Sequence, residues 1–205
     1  METATRQTNL SSGLMLEYFT VGWNVLEAVV GLTAGFAAGS VALVGFALDS
    51  VVEASSGCVL IWRLRAEQGG RESEELERKA VKLVSIAFFA LALYVGAKAG
   101  LDLFGENRPE GSTVGIVLAG VSLIVMPVLA HRKRKVARDL NSRALQADST
   151  QTNLCTYLSA VLLIGLLANA WFGWWWADPI AGIAIALFAA NEGRELWGAE
   201  EMDCC

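Results

Sequence analysis

Asp49 and Glu53 stand four residues apart in "ALDSVVE", the only charges in the run 41–62. On a helix that spacing puts both carboxylates on one face. An acid at the centre of a spanning helix costs about 2.5–3.5 kcal/mol on insertion scales. Two on one face also repel each other unless a cation or a proton lies between them. A second polar group, Asp148, Gln151, Thr152, Asn153 and Cys155, interrupts the apolar run near residue 150, and Asn24 and Glu27 interrupt the first one. Carboxylate, amide and thiol donors at membrane depth point to the binding of a cation. Lys98 and Asp102, also four apart, are expected to form a local ion pair or to snorkel to the outer interface.

The elements that must position these groups are membrane helices. The chain has 205 residues, a hydrophobic fraction of 54% and a net charge of −5. Apolar segments at about 16–38, 41–62, 80–104, 113–130, 145–172 and 177–197 are each long enough to cross a bilayer core of about 30 Å. The expected fold is therefore all-α, a polytopic bundle of six transmembrane helices. Residues 1–15 read as a polar cytoplasmic segment without signal-peptide character, 16–197 as the membrane domain and 198–205 as a short cytoplasmic tail. "RLRAEQGGRESEELERK" and "HRKRKVARDLNSR" read as basic cytoplasmic loops, which puts both termini in the cytoplasm of a multi-pass cell-membrane protein. Trp174, Trp175 and Trp176 fit the outer interface. Gly31, Gly35 and Gly39 form a small-residue stripe suited to close helix packing. Pro127 is expected to bend or fray the fourth helix near its inner end. The cysteines give no disulfide framework: Cys58 reads as a small buried apolar group, and Cys204-Cys205 as a disordered tail or a soft-metal relay.

Depth arithmetic brings the polar groups together. Counting inward from Ser40 puts Asp49 about 14 Å and Glu53 about 20 Å below the outer surface. Counting outward from Ala144 puts Gln151 about 10 Å and Cys155 about 16 Å above the inner one. Glu53 is then level with Gln151, Asp49 with Cys155, and Glu27 reaches the same layer. Four donors on two antiparallel helices are placed to surround one ion. Hydrogen bonding across helices is the alternative for Asn24, Thr152 and Asn153.

These segments resemble the cation diffusion facilitator, or cation efflux, family. "GSVALVGFALDSVVE" resembles its second helix, "LQADSTQTNLC" its fifth, "ADPIAGIAIALFAANEG" its sixth, and Glu27 in "NVLEAVVG" a recurrent acid of its first. The resemblance implies a six-helix transporter that expels divalent transition metals from the cytoplasm, commonly in exchange for protons. Carried over by position, its metal ligands are Asp49, Glu53, Gln151 and Cys155. Gln151 stands where the family has His and Cys155 where it has Asp, so Asp148 is considered as a substitute donor. The family's cytoplasmic metal-binding domain has no counterpart in this sequence, which is expected to be a short member pairing as a homodimer through its membrane helices.

The expected cargo is a divalent transition metal, with no prosthetic group. Carboxylates with a thiolate suit Zn²⁺ and disfavour Mg²⁺ and Ca²⁺, while Co²⁺, Fe²⁺, Cd²⁺ and, less well, Mn²⁺ stay open. Ligands must be ionised to hold metal, so metal competes with protons. That competition supports antiport, with Glu27, Asn24 and Thr152 as proton or supporting groups. His131, the only histidine, lies outside the intramembrane layer and leaves the coupling to carboxylates. Two rivals are weighed: a non-transporting metal sensor or assembly partner on the same helices, and a membrane enzyme using Cys155. The second lacks a histidine partner, a cysteine pair and a phosphate loop. No partnership with nucleic acid is expected.

Overall fold

The computed structural model describes residues 2–68, 74–105 and 108–202. Among the described residues all regular structure is helical: α1 (Glu2–Ala38), α2 (Val41–Gln68), α3 (Glu74–Phe104), α4 (Thr113–Leu140), α5 (Arg143–Phe172) and α6 (Ala177–Met202). The side chains of the acidic run "ESEELE" and the Cys204-Cys205 pair lie outside the described residues.

Polarity is inverted relative to a water-soluble bundle. Phe19, Leu93, Leu101, Ile124, Ile164 and Leu187 are exposed, while Glu17, Asn24, Glu27, Glu53, Lys133 and Thr152 are buried. Only a hydrocarbon surround makes that arrangement favourable, since apolar surface facing lipid carries no hydration penalty and ionisable groups need partners inside the bundle. α1 to α5 are each long and apolar enough to cross a membrane. α6 falls short in apolarity because Asp178, Asn191, Glu192 and Arg194 interrupt it, yet it packs along α2, α3 and α5.

The apolar runs become helices of the expected cores but with longer ends. α1 starts at Glu2, and α4 runs through Pro127 to Leu140 without a break. The stretch "HRKRKVARD", read as loop, is therefore helix, as are the flanks of the 63–79 connection. A run of polar residues continues a helix readily when i,i+4 neighbours and a C-cap support it. Asn141, in the left-handed region at φ 51°, and Ser142, which accepts from the Leu145 amide, turn the chain from α4 into α5.

α1 and α2 form the tight hairpin that "GS" suggests. Gly39 turns the chain at φ 66°, where a Cβ is disfavoured. A Cβ on Gly31 would stand 2.8 Å from the Ala47 side chain, and one on Gly35 2.8 Å from Val44. Two members of the glycine stripe are thus a packing seam and the third makes the turn. Ser40 and Asp178 close the same end. The Asp178 carboxylate accepts from the Ser40 hydroxyl, from the Val41 amide at 2.9 Å and from the Ala42 amide at 3.4 Å. The first turn of α2 is therefore capped by a carboxylate at the start of α6, which satisfies two orphan amides and complements the helix dipole.

α2 sits inside the bundle, against α1, α3, α5 and α6. One apolar cluster, with Leu43, Phe46, Leu118, Leu162 and Ile185, fills the half of the bundle toward the α1–α2 turn. Another, with Leu10, Leu60, Leu64, Leu140 and Leu145, fills the end where the chain begins. The polar layer lies between them. Cys58 departs from expectation: it is exposed on α2, because its helical position turns it away from the α2 face that carries Glu53 and Gly57. Phe172, Trp174 and Trp176 stack in sequence, with centroids 5.2 Å apart, at the end toward the α1–α2 turn.

Candidate metal centre

The site grows from the antiparallel pairing of α2 and α5. On its other side α5 is held close to α4, where the Ser159 hydroxyl donates to Ser122 at 3.1 Å and small side chains let those two helices approach. Cys155 is then level with both acids of α2. Its thiol donates to Glu53 Oε2 at 2.6 Å and lies 3.3 Å from Asp49 Oδ2. The other Glu53 oxygen accepts from the Thr152 hydroxyl at 2.9 Å. All four side chains are buried.

The three donors are closed on one another. Among the described residues, no three His, Cys, Asp or Glu side chains already stand spread around a metal position. Tetrahedral zinc, with bonds of about 2.3 Å to sulfur and 2.0–2.2 Å to oxygen, sets sulfur–oxygen separations of about 3.5 Å. Asp49 is near that distance from Cys155, and Glu53 is about an ångström short of it. For these three donors to surround a zinc ion, the thiol proton would have to leave and Glu53 would have to swing outward by about that much.

The remaining expected residues divide. Gln151 has a buried amide nitrogen without a hydrogen-bond partner, one turn before Cys155. Asn24 is fully buried, with both amide atoms unpartnered. Glu27 accepts from Trp23 Nε1 at 2.7 Å and from the Ser50 hydroxyl at 3.2 Å. Asp148 is engaged elsewhere, 2.5 Å from the Lys133 ammonium. Lys98 and Asp102 form the expected local ion pair.

Sequence reasoning missed Glu17 and Lys133. Lys133 on α4 is completely buried, 3.0 Å from Glu17 Oε2 and 3.3 Å from Thr152 Oγ1, besides its contact with Asp148. The signal was present as periodicity. Glu17, Thr20, Asn24, Glu27 and Gly31 repeat at three- and four-residue steps and share one face of α1. Ser122, Met126, Leu129, Lys133, Ala137 and Leu140 do the same on α4, so the helical register separates Lys133 from its exposed neighbours Arg132 and Lys135.

Comparison with known proteins agrees with this architecture. Residues 19–197 match the cation efflux transmembrane domain. The cation-efflux pump FieF of Shewanella oneidensis is 27% identical over 108 residues, covering 53% of this chain and 35% of the pump. An uncharacterized transporter of Synechocystis is 27% identical over 197 residues, 91% of this chain and 63% of that protein. Transmembrane protein 163 of Xenopus laevis is 24% identical over 203 residues, 96% of this chain and 72% of its own length. The chain spans between about a third and two thirds of the length of the first two of these relatives. With a domain match over most of its length laid on a helical, lipid-facing bundle, the chain belongs to the cation efflux family.

Proposed function

We propose that this protein carries divalent transition-metal cations out of the cytoplasm, Zn²⁺ foremost, in exchange for protons. The transport site is the layer between α2 and α5, with Asp49, Glu53 and Cys155 as donors and the Gln151 amide oxygen as the fourth. The observation that carries this reading is one thiol bridging two buried carboxylates from the antiparallel helix. Removing a thiol proton and any carboxyl proton leaves a mixed sulfur–oxygen shell of the kind zinc accepts, at a depth where no solvent screens it. Asp148 is assigned away from the metal, to Lys133.

Basic side chains support an orientation. Arg65, Lys82, His131, Arg132, Arg134, Lys135 and Arg138 gather at the end where α1 begins and α6 finishes, against Lys98 and Arg108 at the other. Arg65 lies over the Tyr18 ring at 5.3 Å and Lys82 over Trp197 at 5.1 Å, as interfacial anchors do. Both termini are then cytoplasmic, residues 16–197 form the transport unit, and two copies pair through membrane helices in the cell membrane.

The test is zinc flux into proteoliposomes with a proton-sensitive dye trapped inside. Wild-type protein moves zinc with opposing proton flow. Asp49→Ala and Glu53→Ala each lower the flux at least tenfold. Flux at the wild-type rate in both variants rules out this site, and zinc flux without proton movement rules out antiport.

A further inference from the structure

Among the described residues, Lys133 is the one buried ammonium. Its three N–H donors are all engaged, by Glu17 on α1 and by Asp148 and Thr152 on α5. Each acid has oxygen to spare: Glu17 Oε1 and Asp148 Oδ1 are buried with no hydrogen-bond partner. A pair of carboxylates with free lone pairs, bridged by one positive group, is a cation position whose occupant belongs to the chain. The position is also wired to the neighbouring site. Lys133 donates to the Thr152 oxygen, and Thr152 passes its own hydrogen to Glu53.

We propose that Lys133 is a tethered counter-ion of the cation path: its ammonium fills the Glu17–Asp148 position and, through Thr152, opposes positive charge at Glu53. The inference rests on the transport site proposed above. A fixed positive charge one hydroxyl away from Glu53 weakens the hold on a divalent guest, which lets the site release what it binds. In a low-dielectric layer such a charge acts strongly. It also keeps the acid pair from becoming a second trap along the route.

Zinc titration of the purified full-length chain in nanodiscs tests this. Lys133→Met is expected to bind zinc at least tenfold more tightly than wild type, and Lys133→Arg to stay within about threefold of it. A purely structural role predicts the opposite direction, because a damaged site binds less. Folded Lys133→Met with unchanged or weaker affinity overturns the proposal. Should Lys133→Met not fold, Asp148→Asn and the double variant Lys133→Met/Asp148→Asn decide: the double variant binds at least tenfold more tightly than Asp148→Asn, and equal or weaker binding overturns the proposal. Asp49→Ala/Glu53→Ala is titrated alongside. If it keeps wild-type affinity, the transport-site assignment itself fails, whatever the lysine variants do.

Discussion

In the proposed site, Cys155 is the residue on which metal preference turns. Its sulfur touches both acids of α2, so changing it alters the donor set without altering the carboxylates. Cys155→Ser keeps a small polar group but replaces a soft donor with a hard one. It is expected to reduce Zn²⁺ and Cd²⁺ binding by tenfold or more while Mn²⁺ binding changes less, measured by titration of each metal. Acidification has a fixed sign here. Thiol and carboxyls must give up protons before metal enters, so apparent zinc affinity rises with pH, and the rise is shallower in Cys155→Ser because one fewer proton is displaced. A profile equally steep in that variant means the thiol is not a ligand. At this scale the sequence was only partly legible. Asp49, Glu53 and Cys155 announced themselves as polar intrusions in apolar runs. Lys133 did not, because four of its neighbours in "HRKRK" are also basic and only helical phase tells the buried one from the rest.

Elements were easier to read than their ends. Each apolar run became a helix, since hydrocarbon forces every backbone amide into an internal hydrogen bond. The extensions beyond the apolar runs are polar, and composition alone does not distinguish a solvated helix from a loop; α4 continuing to Leu140 is the clearest example. That extension is what carries Lys133 into the bundle. The Gly31–Gly35 seam was legible from spacing, and its contacts make a sharp prediction. Gly31→Val sets a side chain against Ala47, where even a Cβ would be only 2.8 Å away, and is expected to destabilise the α1–α2 hairpin by about 1–3 kcal/mol. Gly120→Ala, on α4 with nothing within 4 Å of an added Cβ, is the matched control and should leave the melting temperature in detergent unchanged or slightly raised. Equal loss in both variants means the seam contributes nothing specific.

At the scale of the whole molecule, orientation can be checked through Cys58 and introduced cysteines. His131→Cys, at an exposed position on the basic end, is expected to react with a membrane-impermeant thiol reagent from the cytoplasmic side alone, and Phe104→Cys, also exposed, from the opposite side alone, each in a background with Cys58, Cys204 and Cys205 replaced by alanine. Reversed labelling inverts the assigned topology and with it the direction of transport. The Asp178 cap carries a consequence for how such a bundle changes shape. It welds the first turns of α2 and α6 through three hydrogen bonds, two of them to backbone amides that have no other helical acceptor. Those helices run parallel from that weld, so any opening between them must fan out at the far tips, as a pair of tongs opens away from its rivet. Asp49 sits near the rivet and Glu53 one turn nearer the tips. The two acids would therefore travel unequal distances from α6 in one stroke.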